Sequence, residues 1–263
     1  MTDLPFAVQT LTETGLLAGG RWLPECESTN TALLAEETPT PFLLGATNQT
    51  AGRGRPGKTW VGGPGCLTFS VAVSAADVAR RREPIELHDA SSVEGVSSLA
   101  VGAAVAAAID RLTTHRHDPP EVKWPNDVLI EGKKVAGVLI ETRGGRTVIG
   151  VGLNVSGAPP AGLGATTLEA AFGRDPDPAL VLTTLAHRLL DEGLRWDDEV
   201  LGYLRGRDAL FGRRITVGQA SPAADDEPTS FITTAHGLSS RGELITEGRF
   251  LTGGTVAIVD AAA

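Results

Sequence analysis

Between residues 121 and 155, segments with strand-forming patterns follow one another with only a few residues between them. They cover Glu121–Trp124, Val128–Ile130, Val135–Thr142 and Thr147–Val155. Gly132 and the pair Gly144-Gly145 stand between successive segments, where turns are expected. Because such short spacings are typical of hairpins, this part of the chain predicts antiparallel pairing.

The remaining segments complete a mixed pattern. Helices are predicted over 28–38, 97–112 and 179–205, and strands over 42–47 and 67–73. After Arg207 only short strands are predicted, over 214–217, 231–238, 243–246 and 256–259, with a polar link at 220–229. The fold class is therefore α+β. We expect residues 1–207 to form a mixed, largely antiparallel sheet with flanking helices, and residues 208–263 to form a small all-β domain docked on it.

Composition excludes several classes of protein. The net charge of −9 argues against a broad basic face for nucleic acid. No apolar run approaches the roughly 20 residues that span a bilayer, and we expect no signal peptide, so the expected location is the cytoplasm. Two cysteines are too few for a disulfide framework. His115 and His117 are two positions apart, which does not suit joint metal ligation on a helix, so no metal site built from His and Cys is expected.

Basic residues are distributed unevenly. No acidic residue lies between Glu37 and Asp77, yet this stretch contains Arg53, Arg55 and Lys58. The chain has only four lysines, and the other nineteen of its 23 basic residues are arginines. The lysines are Lys58, Lys123, Lys133 and Lys134. A preference for Arg this strong favours lysine at positions that need a compact, flexible ammonium, with chance placement as the alternative.

The segment Gly52–Thr59 matches the P-loop pattern GxxxxGK[ST] letter for letter. A P-loop requires a helix directly after it, whose N-terminal amides hold phosphate. Here three glycines and a proline follow within residues 60–65, and each costs about 1 to 3 kcal/mol in a helix. A P-loop nucleotidase is therefore kept only as an alternative from another class.

The same segment still suits an anion. Glycines allow the backbone to approach a ligand, and Arg53 and Arg55 can each hold carboxylate or phosphate oxygens in a fork. The alternative is a solvated surface loop. A second cluster, Lys123–Asp127 followed by Gly132–Gly137, places a tryptophan, an amide, a carboxylate and lysines at the rim of adjacent strands. Its alternative is a hairpin with a Pro-Asn-Asp turn.

Together these segments resemble the catalytic domain of biotin protein ligases. The strong motifs are Ser28-Thr29-Asn30, Gln49–Arg55, Lys123–Asp127 and Lys134–Gly137, and Gly150–Val155, Gly237-Leu238 and Gly242–Leu244 support them. They occur in the family's order, so the resemblance covers about residues 21–260. It implies a class II synthetase-like catalytic domain, an SH3-like C-terminal domain, and an enzyme that forms biotinyl-5'-AMP from biotin and ATP. Biotin would then pass to a lysine of the biotin carboxyl carrier domain of a biotin-dependent carboxylase.

The resemblance also implies site residues. The catalytic ones would be Arg53, Lys134 and Asp127. Biotin would be bound by Ser28, Thr29, Asn30, Gln49, Gly52, Arg53, Gly54, Arg55, Lys134 and Gly137. ATP would be bound by Arg55, Lys58, Trp60, Asn126 and Asn154, and Mg²⁺ would arrive with ATP. Trp60 would flank the adenine, Asn154 would bond its edge, and Ser28, Thr29 and Gln49 would bond the ureido group of biotin.

Two departures and two rival functions remain. Lys58 stands where many members carry Arg, which loses the bidentate fork. Only 27 residues precede Ser28, too few for the winged-helix domain of repressor-type members, so we expect no DNA binding.

A lipoate or octanoate protein ligase is an alternative because it shares the fold, and a DNA-binding repressor is disfavoured. The sequence leaves open whether the protein is a monomer or a homodimer.

Overall fold

The computed structural model describes residues 3–55, 58–80, 97–112, 118–159, 162, 164–218 and 230–259. The helices are α1 (Leu4–Glu13), α2 (Thr29–Ala35), α3 (Ala75–Ala79), α4 (Ser98–Leu112), α5 (Leu168–Phe172), α6 (Pro178–Asp191) and α7 (Asp198–Arg205). The first strands are β1 (Gly19–Cys26), β2 (Phe42–Gln49), β3 (Cys66–Val73), β4 (Glu121–Lys123), β5 (Asp127–Ile130), β6 (Lys133–Arg143) and β7 (Arg146–Asn154). The C-terminal strands are β8 (Arg214–Gly218), β9 (Ser230–Leu238), β10 (Leu244–Thr246), β11 (Arg249–Leu251) and β12 (Thr255–Ile258).

Within these ranges the larger sheet has the strand order β1-β2-β3-β7-β6-β5-β4. Strands β4 to β7 pair as successive antiparallel hairpins, as their spacing predicts. The pair β1–β2 is parallel, and the pairs β2–β3 and β3–β7 are antiparallel. The prediction of a mixed, largely antiparallel sheet with flanking helices is confirmed.

Neighbouring residues of a strand point to opposite faces of the sheet. Both faces of this sheet carry apolar side chains, and helices cover both. Leu43 packs into the main core, against which α4 and α6 lie, whereas Leu44 packs with Leu33 of α2 on the other face. Small residues such as Ala103 and Ala106 let α4 approach the sheet closely. The start of α2 is therefore fixed above β3 and β7, where the site described below is found.

Two predicted helices are wrong in their extent. The stretch predicted as one helix over 179–205 is divided into α6 and α7. The interruption contains Gly193, a poor helix former, and Asp197, whose carboxylate caps α7 by accepting from the Val200 amide at 2.9 Å. Helix α2 ends at Ala35 rather than Thr38, because Glu36 is extended and the residues before Pro39 and Pro41 are disfavoured in a helix.

The C-terminal strands form a second sheet in the order β11-β10-β9-β8-β12, with antiparallel pairs throughout the described residues. Its apolar face, including Ile215 and Val217, is continuous with the main core. The indole N–H of Trp124 donates to the Gly242 carbonyl at 3.1 Å, and that of Trp196 to the Ser240 carbonyl at 2.8 Å. These contacts dock the small sheet. We retain the division at 207/208 as a proposal.

The predicted polar link at 220–229 and the residues His115 and His117 lie outside the described residues. Among the helices that are described, none combines the length and the apolar character needed to cross a bilayer.

Candidate active site

A cavity of about 570 Å³ lies where the start of α2 meets the sheet. Its walls come from residues 53–55 and 58–60, strands β3, β6 and β7, the turn between β4 and β5, and strands β8 and β12 of the small sheet. The lining includes five cationic side chains and one carboxylate. They are Arg53, Arg55, Lys58, Lys123, Lys134 and Asp127. In a chain with a net charge of −9, this concentration of positive charge marks a site for anions.

Residues 52–55 and 58–60 run alongside each other as the two arms of a narrow hairpin. The Gly54 amide donates to the Lys58 carbonyl at 3.1 Å, and the Trp60 amide donates to the Gly52 carbonyl at 3.0 Å. A Cβ on Gly52 would lie 2.4 Å from the Trp60 carbonyl oxygen, so only glycine fits there. The chain continues without a helix to Cys66, where β3 begins. The P-loop alternative therefore lacks the helix that its mechanism requires.

The two arginines of this hairpin contact two different sheets. A guanidinium nitrogen of Arg53 lies 3.0 Å from a carboxylate oxygen of Glu141 on β6. Arg55 donates from Nη1 to the Gly254 carbonyl at 2.8 Å, in the turn between β11 and β12. Burial lowers the pKa of Arg55, and the nearby Asp127 carboxylate partly offsets this. An arginine side chain is effectively always protonated in a protein, so the guanidinium keeps its charge.

In the cationic part of the lining, the Asp127 carboxylate interacts with the ammonium groups of Lys134 and Lys123. Lys134 Nζ lies 2.6 Å from Asp127 Oδ1, across the β5–β6 pair. Burial lowers the pKa of Lys123, with Asp127 raising it and Lys134 lowering it further. Lys134 Nζ also lies 5.6 Å from the centre of the Trp60 ring, close enough for a cation–π contact. Asp127 thus fixes Lys134 in the cavity before any substrate is bound.

Glycines make room for the Trp60 ring against the sheet. A Cβ on Gly152 would lie 2.3 Å from that ring, and a Cβ on Gly137 would lie 3.0 Å from Lys134 Nζ. The indole Nε1 of Trp60 is buried and has no hydrogen-bond partner in the described part of the chain. Buried donors are ordinarily satisfied, so this N–H is suited to an acceptor that a ligand brings.

Hydroxyl and amide groups at the start of α2 and the end of β2 form an uncharged wall of the cavity. Gln49 Oε1 accepts from the Thr29 amide at 2.8 Å and from the Thr29 hydroxyl at 3.2 Å, which leaves the Gln49 NH₂ as a donor. Ser28 caps α2, its hydroxyl oxygen accepting from the Thr31 amide at 3.4 Å. This wall suits a neutral polar group such as a ureido function.

Asn30 lines the cavity, but its side-chain amide already forms hydrogen bonds with other groups of the protein. Its Oδ1 accepts from the Ser70 hydroxyl at 2.6 Å, and its Nδ2 donates to Glu141 at 2.9 Å and to the Leu139 carbonyl at 3.3 Å. The residue is 4% exposed. It ties the start of α2 to strands β3 and β6 and orients Glu141, the partner of Arg53.

We expect Asn30→Ala to lower the free energy of unfolding by about 2 kcal/mol, because buried partners would lose their hydrogen bonds. Urea unfolding of the ligand-free protein measures this. Asn48→Ala is the matched control, since Asn48 donates to Glu25 at the surface and its loss should cost less than about 0.5 kcal/mol. Equal destabilisation by the two substitutions would contradict the structural role of Asn30.

The structure brings nearly all of the predicted site residues together. Every one of them lines the cavity except Gly52 and Asn154. Gly52, at the base of the hairpin, lines a second cavity of about 520 Å³ together with Arg53 and Glu141. Asn154 is 5% exposed, its Nδ2 donates to the Thr166 carbonyl at 3.1 Å, and its Oδ1 accepts from the Cys66 thiol at 3.5 Å. Their predicted roles in binding stay predictions.

Sequence reasoning missed several residues of the site. Lys123 was noted in its motif but given no role, although its place in a lysine-poor chain was a usable signal. Glu141 and Ser70 carry no motif, because they act through contacts with residues far away in sequence. The wall from the small sheet, including Thr216 and Thr255, had no signal either. No group of three or more His, Cys, Asp and Glu side chains within the described ranges could hold a metal ion.

Comparison with known sequences identifies relatives of the chain. Residues 22–157 match the biotin/lipoate A/B protein ligase family. A biotin–[acetyl-CoA-carboxylase] ligase of Mycobacterium tuberculosis is 31% identical over 227 residues, covering 81% of this chain and 81% of that protein. The enzyme of the same name from Paracoccus denitrificans is 30% identical over 216 residues, covering 77% of this chain and 82% of its own length.

Comparison with solved structures gives the same picture for the fold. A biotin protein ligase from Aquifex aeolicus, solved in complex with biotin and ATP, superimposes with a TM-score of 0.73 at 26% identity. The match covers 92% of this chain and 99% of that one.

Proposed function

The chain belongs to the biotin/lipoate A/B protein ligase family, and we propose that it is a biotin–protein ligase that uses ATP to attach biotin to a carrier protein. The observation that carries the proposal is the cavity itself, whose lining combines five cationic side chains with neutral hydrogen-bonding groups. Biotin has a carboxylate at one end and a neutral ureido group at the other. The names of the relatives, at 30 to 31% identity, support biotin over other acids.

In the first half-reaction a biotin carboxylate oxygen bonds to the α-phosphorus of ATP, and the bond from that phosphorus to the β-phosphate oxygen breaks. Pyrophosphate leaves with the electron pair. Two unit charges about 4 Å apart repel by roughly 4 kcal/mol at an effective dielectric near 20, so the step needs cations where the anions meet. We assign this task to Arg53 and Lys134, with Arg55 and Lys58 on the phosphates.

Asp127 has two tasks in the first half-reaction. It holds Lys134 Nζ at 2.6 Å and so fixes the ammonium where charge develops. It is also the carboxylate of the cavity lining, and Mg²⁺ commonly binds through one or two carboxylates together with substrate phosphates and water. A Mg²⁺ ion carried in by ATP would neutralise phosphate charge, and Asp127 is the residue that would hold it.

In the second half-reaction the amine of an acceptor lysine attacks the carbonyl carbon of the mixed anhydride. The bond from that carbon to the phosphate oxygen breaks, AMP leaves, and the amine loses its proton. We propose the biotin carboxyl carrier domain of a carboxylase as the acceptor, because both relatives are named for acetyl-CoA carboxylase. As the carboxylate of the cavity lining, Asp127 would also attract the incoming ammonium.

The direct test combines the protein with biotin, ATP, Mg²⁺ and a biotin carboxyl carrier domain, followed by a streptavidin blot. We expect labelling that requires ATP and the acceptor lysine. Lipoate or octanoate ligase is the rival within the family, and thermal shift separates them: biotin should raise the melting temperature and lipoate should not. Stabilisation by lipoate alone, with no streptavidin signal, would replace the proposal by its rival.

We also propose that the protein acts in the cytoplasm and does not bind operator DNA, since a net charge of −9 opposes phosphate binding over a broad surface. A gel-shift titration with promoter DNA of biotin-synthesis genes, with and without biotin and ATP, should show no complex below micromolar protein. A sequence-dependent complex at nanomolar protein would contradict this.

A further inference from the structure

A serine that lies behind the uncharged wall, Ser70 on β3, contacts two residues of the wall's helix. It is fully buried and does not line the cavity. Its hydroxyl oxygen lies 2.7 Å from the Thr29 hydroxyl oxygen and 2.6 Å from Asn30 Oδ1. A serine hydroxyl has a single proton, so Ser70 donates to one of these groups and accepts from the other.

The direction of both hydrogen bonds follows from Asn30. Its Nδ2 donates to the Leu139 carbonyl and to a carboxylate oxygen of Glu141, and these oxygens only accept. The end of the amide that faces Ser70 is therefore the carbonyl oxygen, which also only accepts. Ser70 consequently gives its proton to Asn30, and the 2.7 Å contact requires Thr29 to donate to Ser70.

A glycine on the neighbouring strand makes room for this arrangement. Gly150 stands opposite Ser70 in the β3–β7 register, and a Cβ there would lie 2.3 Å from Asn30 Oδ1. The Asn30 amide therefore reaches Ser70 only because residue 150 has no side chain.

The Thr29 hydroxyl also has a single proton, and Ser70 is the closer acceptor. Gln49 Oε1 lies at 3.2 Å, so it receives the weaker share of a bifurcated bond. Thr29 lines the cavity, and with its proton held behind the wall it presents an oxygen lone pair to a ligand. Gln49 Oε1 also accepts from the Thr29 amide at 2.8 Å, so the Gln49 NH₂ group is the donor beside it.

We propose that Ser70 is a positioning residue for ligand selection: it fixes the direction of the Thr29 hydroxyl, so that the wall offers an acceptor at Thr29 beside a donor at Gln49. A cyclic urea has N–H donors next to a carbonyl acceptor and matches this pair. An acid with a hydrocarbon or disulfide end supplies neither group. Selection of the urea rests on the proposed function, whereas the direction of the Thr29 bond is a property of the ligand-free protein.

The first experiment compares crystal structures of ligand-free Ser70→Ala and wild type. Without the Ser70 oxygen, Gln49 Oε1 is the acceptor that remains for the Thr29 proton, so we expect their oxygen–oxygen distance to shorten from 3.2 Å to about 2.8 Å. An unchanged separation would overturn the proposal. If the alanine variant does not fold, Ser70→Cys takes its place, because a thiol fills the site but donates and accepts only weakly.

The second experiment measures pyrophosphate release by the full-length protein as a function of biotin and of ATP. We expect Ser70→Ala and Thr29→Val each to raise KM for biotin about tenfold, the loss of one hydrogen bond, with kcat and KM for ATP unchanged. The double variant should be no worse than Thr29→Val, since Ser70 acts through Thr29. Thr147→Val is the matched control: it removes a buried hydroxyl from β7, bonded to Thr142 outside the cavity lining, and should behave as wild type.

Desthiobiotin, which keeps the cyclic urea but lacks the sulfur ring, should show the same increases in KM. Additive increases in the double variant, or a loss of kcat together with a higher KM for ATP, would show that Ser70 only supports the fold and would overturn the proposal. A wild-type protein that releases no pyrophosphate with biotin would contradict the proposed function instead. The crystal structures would then still decide the direction of the Thr29 bond.

Discussion

Lys134→Ala is expected to slow formation of biotinyl-adenylate by about 100- to 1,000-fold while the protein remains folded. One positioned donor at a developing charge is typically worth about 3 to 4 kcal/mol of transition-state stabilisation. Lys134 Nζ lies in the cavity lining and is fixed 2.6 Å from Asp127. The backbone N–H of Lys134 donates a hydrogen bond to the Gly164 carbonyl at 2.9 Å, which does not depend on the side chain, so strand β6 should survive the substitution.

Lys133→Ala is the matched control, because Lys133 is the exposed neighbour on the same strand and does not line the cavity. Pyrophosphate release at saturating biotin and ATP measures the effect, and thermal unfolding verifies the fold. The double variant Lys134→Ala with Asp127→Asn separates two explanations. The comparison is with Asp127→Asn alone, because Asp127 is also assigned to Mg²⁺. If Lys134 only neutralises Asp127, the double variant is as active as Asp127→Asn; if Lys134 stabilises the reacting anions, the double variant is slower. Near-normal pyrophosphate release in Lys134→Ala would remove this residue from the mechanism.

The parts of the fold that the sequence predicts are those specified by neighbouring residues. Strands β4 to β7 follow each other through short turns, so their pairing is settled locally. The parallel partner of β2 was missed because β1 is separated from it by a helix and has no alternating pattern. The division between α6 and α7 was missed because the apolar spacing continues across residues 192–197, whereas Asp197 restarts the helix by capping it.

In the candidate site, too, local sequence predicts some residues, whereas others are brought in only by the tertiary structure. Motifs located Arg53, Asp127 and Lys134, because glycine-rich and lysine-containing segments stand out in an arginine-rich chain. The groups that orient them are ordinary residues brought close by the sheet. Glu141 reaches Arg53 only because β6 passes beneath the hairpin, and Gly254 reaches Arg55 only because the small sheet docks beside it. Such partners depend on the tertiary structure, and no local pattern indicates them.

Arg55→Gly is expected to release biotinyl-adenylate into solution, where it labels lysines of unrelated proteins. Holding the segment 52–58 in one conformation costs roughly 1 to 2 kcal/mol per residue, and Arg55 offsets part of this through Gly254 and, by our proposal, through the anions of the ligand. Glycine removes the charge and adds backbone freedom, so the closed hairpin becomes less populated. Loss of a hydrogen bond from a charged group, about 1.5 to 3 kcal/mol, corresponds to roughly 10- to 100-fold faster escape of the adenylate.

The adenylate should still form in Arg55→Gly, because Arg53, Lys58 and Lys134 remain in the cavity. The measurement is streptavidin labelling of albumin as a bystander, at matched concentrations of active sites, together with the dissociation rate of the adenylate. Arg55→Lys is the graded control: it keeps the positive charge but loses the planar fork, so it should fall between wild type and glycine. Bystander labelling equal to wild type, with unchanged dissociation, would mean that the adenylate is retained by other residues. An increase as large in Arg55→Lys as in Arg55→Gly would show that the geometry of the guanidinium, rather than its charge, keeps the hairpin closed.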